Sequence, residues 1–106
     1  MFEDSTEKIK NKYDSYWEKV KKITKILKKE YKAETVKVFG SLLDINRFHL
    51  NSDIDLAVSG MPPENFFKAY GDITARFAEI EIDLVDIEDC KKSLLKIIEQ
   101  EGIEIE

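Results

Sequence analysis

The chain has 106 residues, 42% apolar and 37% charged, and a formal net charge of −5. That length supports one folded domain with its own core but not a catalytic domain plus a separate substrate domain, so whatever it acts on must dock to its surface. No apolar run reaches membrane-spanning length and the N-terminus lacks the apolar stretch of a signal peptide, which makes the cytoplasm the expected location; Cys90, the single cysteine, excludes an intrachain disulfide or a cysteine-built metal site.

Charge is distributed unevenly. Residues 1–37 hold 11 Lys against 7 Asp or Glu, a local +4, whereas residues 38–106 hold 6 basic against 15 acidic residues, a local −9. The first-half Lys alternate with Glu and Asp, and the rest of the surface would repel phosphate, so this pattern reads as a solvated helix face rather than a nucleic-acid site.

In chain order, Ile9, Tyr13, Trp17, Val20, Ile23, Ile26, Leu27 and Tyr31 recur every three or four residues, predicting an amphipathic helix over about 5–32 with Asp4 and Glu7 as its capping box. Such a helix is longer than a small sheet can cover, leaving one end to project or to bind another chain, a second copy included. Tyr13, Tyr16 and Trp17 read as core packing. A first strand follows at 35–39 and ends at Gly40, which permits a tight positive-φ turn and close backbone approach to a ligand. Ser41 is placed to cap a short helix over about 42–47, whose first-turn N–H groups would attract phosphate.

A second strand is predicted at 53–59, with Ile54, Leu56 and Val58 on one face and Asp53, Asp55, Ala57 and Ser59 on the other. Pro62 and Pro63 then open a helix over about 63–78, with Phe66, Phe67, Tyr70, Ile73, Thr74 and Phe77 inward and Gly71 as its weak point. In a third strand, Ile80, Ile82 and Leu84 share one face and Glu81 and Asp83 the other, while Asp86 falls on the wrong parity for the acidic face. A last helix covers about 88–101 and stops at Gly102. This order predicts a small α/β domain, a three-stranded sheet with helices packed on one face and a long N-terminal helix before it. The uncovered face then brings Asp53, Asp55 and Asp83 together. Clustered hard-oxygen ligands at neutral pH call for Mg²⁺, and a pair of such ions about 3.5–4 Å apart can clamp a triphosphate and activate an attacking oxygen.

Gly40-Ser41, eleven residues, Asp53-Ile54-Asp55-Leu56, and then Asp83 within Ile-Asp-Leu-Val-Asp together resemble the signature of the DNA polymerase β-type nucleotidyltransferase superfamily, and the short chain resembles its minimal branch. The resemblance covers about residues 35–101. It implies a nucleotidyltransferase fold over 1–106, with 1–33 as the N-terminal helix and 34–102 as the catalytic core. Asp53 and Asp55 would hold both Mg²⁺ ions and Asp83 the catalytic one, while Gly40 and Ser41 would bind the β and γ phosphates of ATP. Where the family often has a basic residue and a Gly after Gly-Ser, this chain has Leu42, Leu43, Asp44 and Ile45; Arg47 and His49 are the nearest cations, Arg47 being the candidate for the nucleotide and each also reading as a solvated loop residue. Minimal members commonly act with a helical HEPN-class protein. The resemblance therefore implies AMP transfer from ATP to a Tyr hydroxyl of a HEPN toxin, the chain acting as antitoxin. Alternatives are a non-catalytic module that binds such a partner, or nucleotidyl transfer to a small molecule, which normally needs an added helical domain.

Overall fold

The computed structural model describes residues 2–106, with side chains from Thr6 onward. Helix α1 runs Phe2–Tyr31, so Asp4 lies inside its first turns rather than at a cap, and the expected capping-box contact of that side chain falls outside the described residues. Lys32 ends the helix at φ 63, with the Ala33 N–H donating back to the Leu27 carbonyl at 3.0 Å, a left-handed cap that usually takes Gly. From Ile9 onward the apolar stripe of α1 packs on the core, and Val20, Ile23 and Leu27 are fully buried. Tyr13 and Tyr16 both set their rings edge-on to Phe48, at 5.2 and 5.3 Å, and the Tyr13 hydroxyl donates to the Leu42 carbonyl. These aromatics are core, as their spacing suggests.

Strands β1 (Thr35–Phe39), β2 (Ile54–Ser59), β3 (Ile82–Asp86) and β4 (Ile103–Glu104) form one mixed sheet in the order β3-β2-β1-β4. β1 pairs antiparallel with β2 and β4, whereas β2 and β3 run parallel, joined through helix α2 (Pro63–Arg76). Alternation puts Val36, Val38, Ile54, Leu56, Val58, Ile82 and Leu84 on one face, and all are buried against α1 and α2. Gly71 has open space around it and does not interrupt α2, which ends two residues before the expected 78. The Tyr31 hydroxyl and the Arg76 guanidinium both donate to Asp72, and Arg76 reaches Glu30, tying α2 to the end of α1.

Two expectations need correction. The sheet has four strands rather than three: β4 is too short to register as an alternating pattern, and it adds to β1 because Gly102 turns the chain back sharply, with space for no Cβ 2.5 Å from the Ile98 carbonyl. Nor do all helices share one face. Helix α3 (Lys92–Glu101), which starts four residues later than expected after the 3-10 turn Ile87–Asp89, sets Ile98 against Phe39 and Ala57 on the opposite side of the sheet. The reason is local, since Phe39, Ala57 and Val85 make that face apolar beyond its acidic end. Ile98 is fully buried. Replacing Ile98 with Ala should cost about 2–4 kcal/mol in denaturant unfolding, because the small second cluster has few residues with which to refill the cavity.

Candidate active site

The parallel register sets Asp55 directly beside Asp83 on the face opposite the main core. Asp53, one residue ahead of β2, adds its charge to this pair. Burial first, then Asp83 and Asp53, push the Asp55 carboxyl up to about 6. Gly40 stands over the same carboxylate. Its φ is +79, and a Cβ there would lie 2.4 Å from Asp55 Oδ2. Only glycine both adopts that backbone easily and leaves the oxygen in place.

Asp53 also borders two clefts, one lined by Tyr70, Glu81 and Asp83 and the other by Lys12, Tyr16 and Glu79. Burial, then Asp53 and Glu79, raise the Tyr16 hydroxyl above its ordinary range. Asp53, Asp55 and Asp83 are thus neighbours, but among the described residues no three acidic, His or Cys side chains stand at metal-holding spacing. The donor set nevertheless fits a hard divalent cation: all oxygen, all one sign, with the central carboxyl destabilised as an anion by burial and then by the other two.

The phosphate side differs from expectation. The helix placed at 42–47 is a single 3-10 turn over Gly40–Leu43, and Ser41 lies within it rather than capping it. Leu42 is buried in the main core, and the Asp44 carboxylate accepts from the Asn46 N–H at 2.9 Å, which turns the chain away before an α-helix can continue. Arg47 is exposed and ion-paired with Glu101 at 3.7 Å rather than with an Asp of the site. His49 Nδ1 accepts from the Asn51 N–H, a local loop bond. Asp86, as its parity suggests, faces away and caps the turn after β3 by accepting from Glu88 N–H.

Tyr70 was not legible as a site residue, since its helical spacing marks it as core. Its hydroxyl donates to Asp83 Oδ1 at 3.3 Å, and burial and Asp83 raise its pKa. No local spacing connects positions 70 and 83; only the lie of α2 along β3 does.

The sequence model of the family described as polymerase beta, nucleotidyltransferase matches residues 21–106. No curated protein sequence matches the chain. Among solved structures, a toxin-antitoxin with AMP-PNP is similar at 21% identity and TM-score 0.63, over 79% of this chain and 70% of that one. A mutant of the toxin-antitoxin MntA-HpeT is similar at 23% identity and TM-score 0.62, over 78% of this chain and 68% of that one. The toxin-antitoxin MntA-HepT is similar at 23% identity and TM-score 0.56, over 78% and 65%. At these identities the likeness shows a shared fold.

Folding raises the Asp55 carboxyl above its free value of 3.8, so its contribution favours the fold at acid pH and is lost as pH climbs through about 6. Asp55→Asn should therefore raise the stability of the metal-free protein at pH 7.5 by about 1–2 kcal/mol, a figure discounted for solvent screening, and flatten the pH dependence of unfolding between pH 4 and 6. Gly40→Ala should act oppositely, costing about 1–2 kcal/mol of backbone strain in the same denaturant assay.

Proposed function

Since the chain belongs to the polymerase beta nucleotidyltransferase family, we propose that it transfers AMP from ATP, with two Mg²⁺ ions, to a hydroxyl of a separate helical HEPN-class protein, a Tyr being the acceptor, and so acts as an antitoxin. The observation that carries this reading is Asp55 held between Gly40 and Asp83, with Asp53 adding to its charge. A binding site that destabilises its own central anion favours the arrival of positive charge. Support for the substrate and the partner comes from the fold shared with toxin-antitoxin structures, one of them with AMP-PNP, an analogue of ATP.

Asp53 and Asp55 would hold both ions and Asp83 the one beside the acceptor. When bound, the metal neutralises the triphosphate and lowers the pKa of the attacking hydroxyl. The chain's residues then position the reactants. The acceptor oxygen bonds the α-phosphorus as the bond to the bridging oxygen breaks; pyrophosphate leaves with the electron pair and the hydroxyl proton passes to water. Gly40 keeps the backbone far enough from Asp55 for both carboxylate oxygens to remain available. Ser41 and the Gly40 backbone would face the β and γ phosphates. Arg47 would reach them by exchanging its exposed ion pair with Glu101, which holds it weakly. The acceptor would enter from outside, past Tyr70 and Asp83.

A second reading, a non-catalytic clasp for the same partner, is favoured by the single 3-10 turn after β1, which offers phosphate less than a helix start would. The double variant Asp53→Ala with Asp55→Ala separates the two. Incubated with ATP, Mg²⁺ and the HEPN partner, the wild-type protein should add one or more AMP masses to the partner, and the double variant none while still binding it. No mass gain with the wild-type protein, together with neutralisation by the double variant, would establish the clasp instead.

A further inference from the structure

Two clefts lie end to end between α2 and the outer edge of β3. The first, about 350 Å³, includes Tyr70, Thr74, Ile82 and Asp83. The second, about 400 Å³, has Phe66, Phe67, Leu84 and Val85 as its apolar part, with Asp86 and Asp89 beside them. Tyr70 lines the first, with its ring edge-on to Phe66 of the second at 6.1 Å and its hydroxyl on Asp83. Together they form a trough that passes the acceptor-side carboxylate.

Two independent features point to what fills it. β3 is the edge strand of the sheet, and the Tyr70 hydroxyl stands at its outward Leu84 N–H, so a segment in the trough lies along the strand over Tyr70 rather than pairing with that edge. Phe67 is 80% exposed, while α2 buries Ala69 and Ile73 instead, so this ring serves no core. Finally, the charged residues lining the two clefts are Asp53, Glu81, Asp83, Asp86 and Asp89, with no Lys or Arg among them. An aromatic ring in water and a rim of one sign complement an extended segment carrying apolar and basic side chains.

We propose that this trough seats an extended basic and apolar segment of the acceptor polypeptide, which lies along β3. About five residues, roughly 17 Å, would match the strand. An apolar side chain covers Phe67, Lys or Arg side chains face Asp86 and Asp89, and the acceptor hydroxyl arrives at Asp83. The inference rests on the reading that the acceptor is a protein hydroxyl, and it adds the chemistry by which that protein is chosen.

The test uses two fluorescein-labelled heptapeptides with a central tyrosine, one alternating lysine and leucine and the other alternating glutamate and leucine, titrated without nucleotide and followed by anisotropy. The lysine peptide should bind the wild-type protein, the glutamate peptide should not, and Phe67→Ala and Asp89→Lys should each weaken the lysine peptide about tenfold. Both positions are exposed, and unchanged melting curves would show that the variants fold. Equal binding of the two peptides, no binding of the lysine peptide, or unchanged affinity in both variants would overturn the proposal. The AMP-transfer assay separates it from the reading beneath it. Undiminished transfer by Phe67→Ala and Asp89→Lys would sink the trough and leave the transferase reading standing, whereas lysine-peptide binding lost in those variants, with no AMP transfer to any protein, would sink the transferase reading and keep the trough.

Discussion

Everything at the site depends on the register between β2 and β3, which sets two carboxylates side by side where water is partly excluded. Like charges so placed repel, and the Tyr70 hydroxyl, donating to Asp83, offsets part of that. The register is held from the reverse side, where Ile54, Leu56 and Val58 interlock with Ile82 and Leu84 in the main core. A slip of one residue would turn that apolar set outward, at a cost far above the repulsion between two half-screened carboxylates. The core therefore holds the acids in an arrangement they would not choose.

The second cluster limits where the chemistry can be reached. α3 covers Phe39 and Ala57, so the sheet face that bears the acids is closed at one end. β4 closes the other edge of the sheet by pairing with β1, and the Ile105 N–H extends this pairing to the Val36 carbonyl. The free edge of the sheet is thus that of β3. A nucleotide approached by the Gly40 turn and an acceptor approaching along β3 would meet at Asp55 and Asp83 without competing for the same surface.

Much of this was legible from residue types, and the parts that were not have physical reasons. Strand parity follows from geometry, so Asp53, Asp55 and Asp83 could be assigned to one face and Asp86 to the other. Gly40 was legible too, because a Gly between a strand and a Ser suggests a positive φ, which it has. An amphipathic stripe such as Leu94, Leu95 and Ile98 says that a helix buries a face but not which side of the sheet receives it. The 42–47 helix was misread because Asp44, plain in the sequence, competes for its own backbone through the bond to Asn46. Tyr70 was hidden for a different reason: its contact with Asp83 is tertiary, and its spacing is that of core.

α1 spans about 45 Å by its residue count, close to the 48 Å longest dimension of the molecule. Among the described side chains its packing against the core begins at Ile9, with Glu7 and Lys8 exposed. Backbone amides along one continuous helix accordingly belong to two regimes of solvent exchange. Those around Glu7 and Lys8 open by fraying, with the weak cooperativity of an isolated helix, while those around Val20, Ile23 and Leu27 open only when the whole domain does. The helix is one element in outline and two in its dynamics.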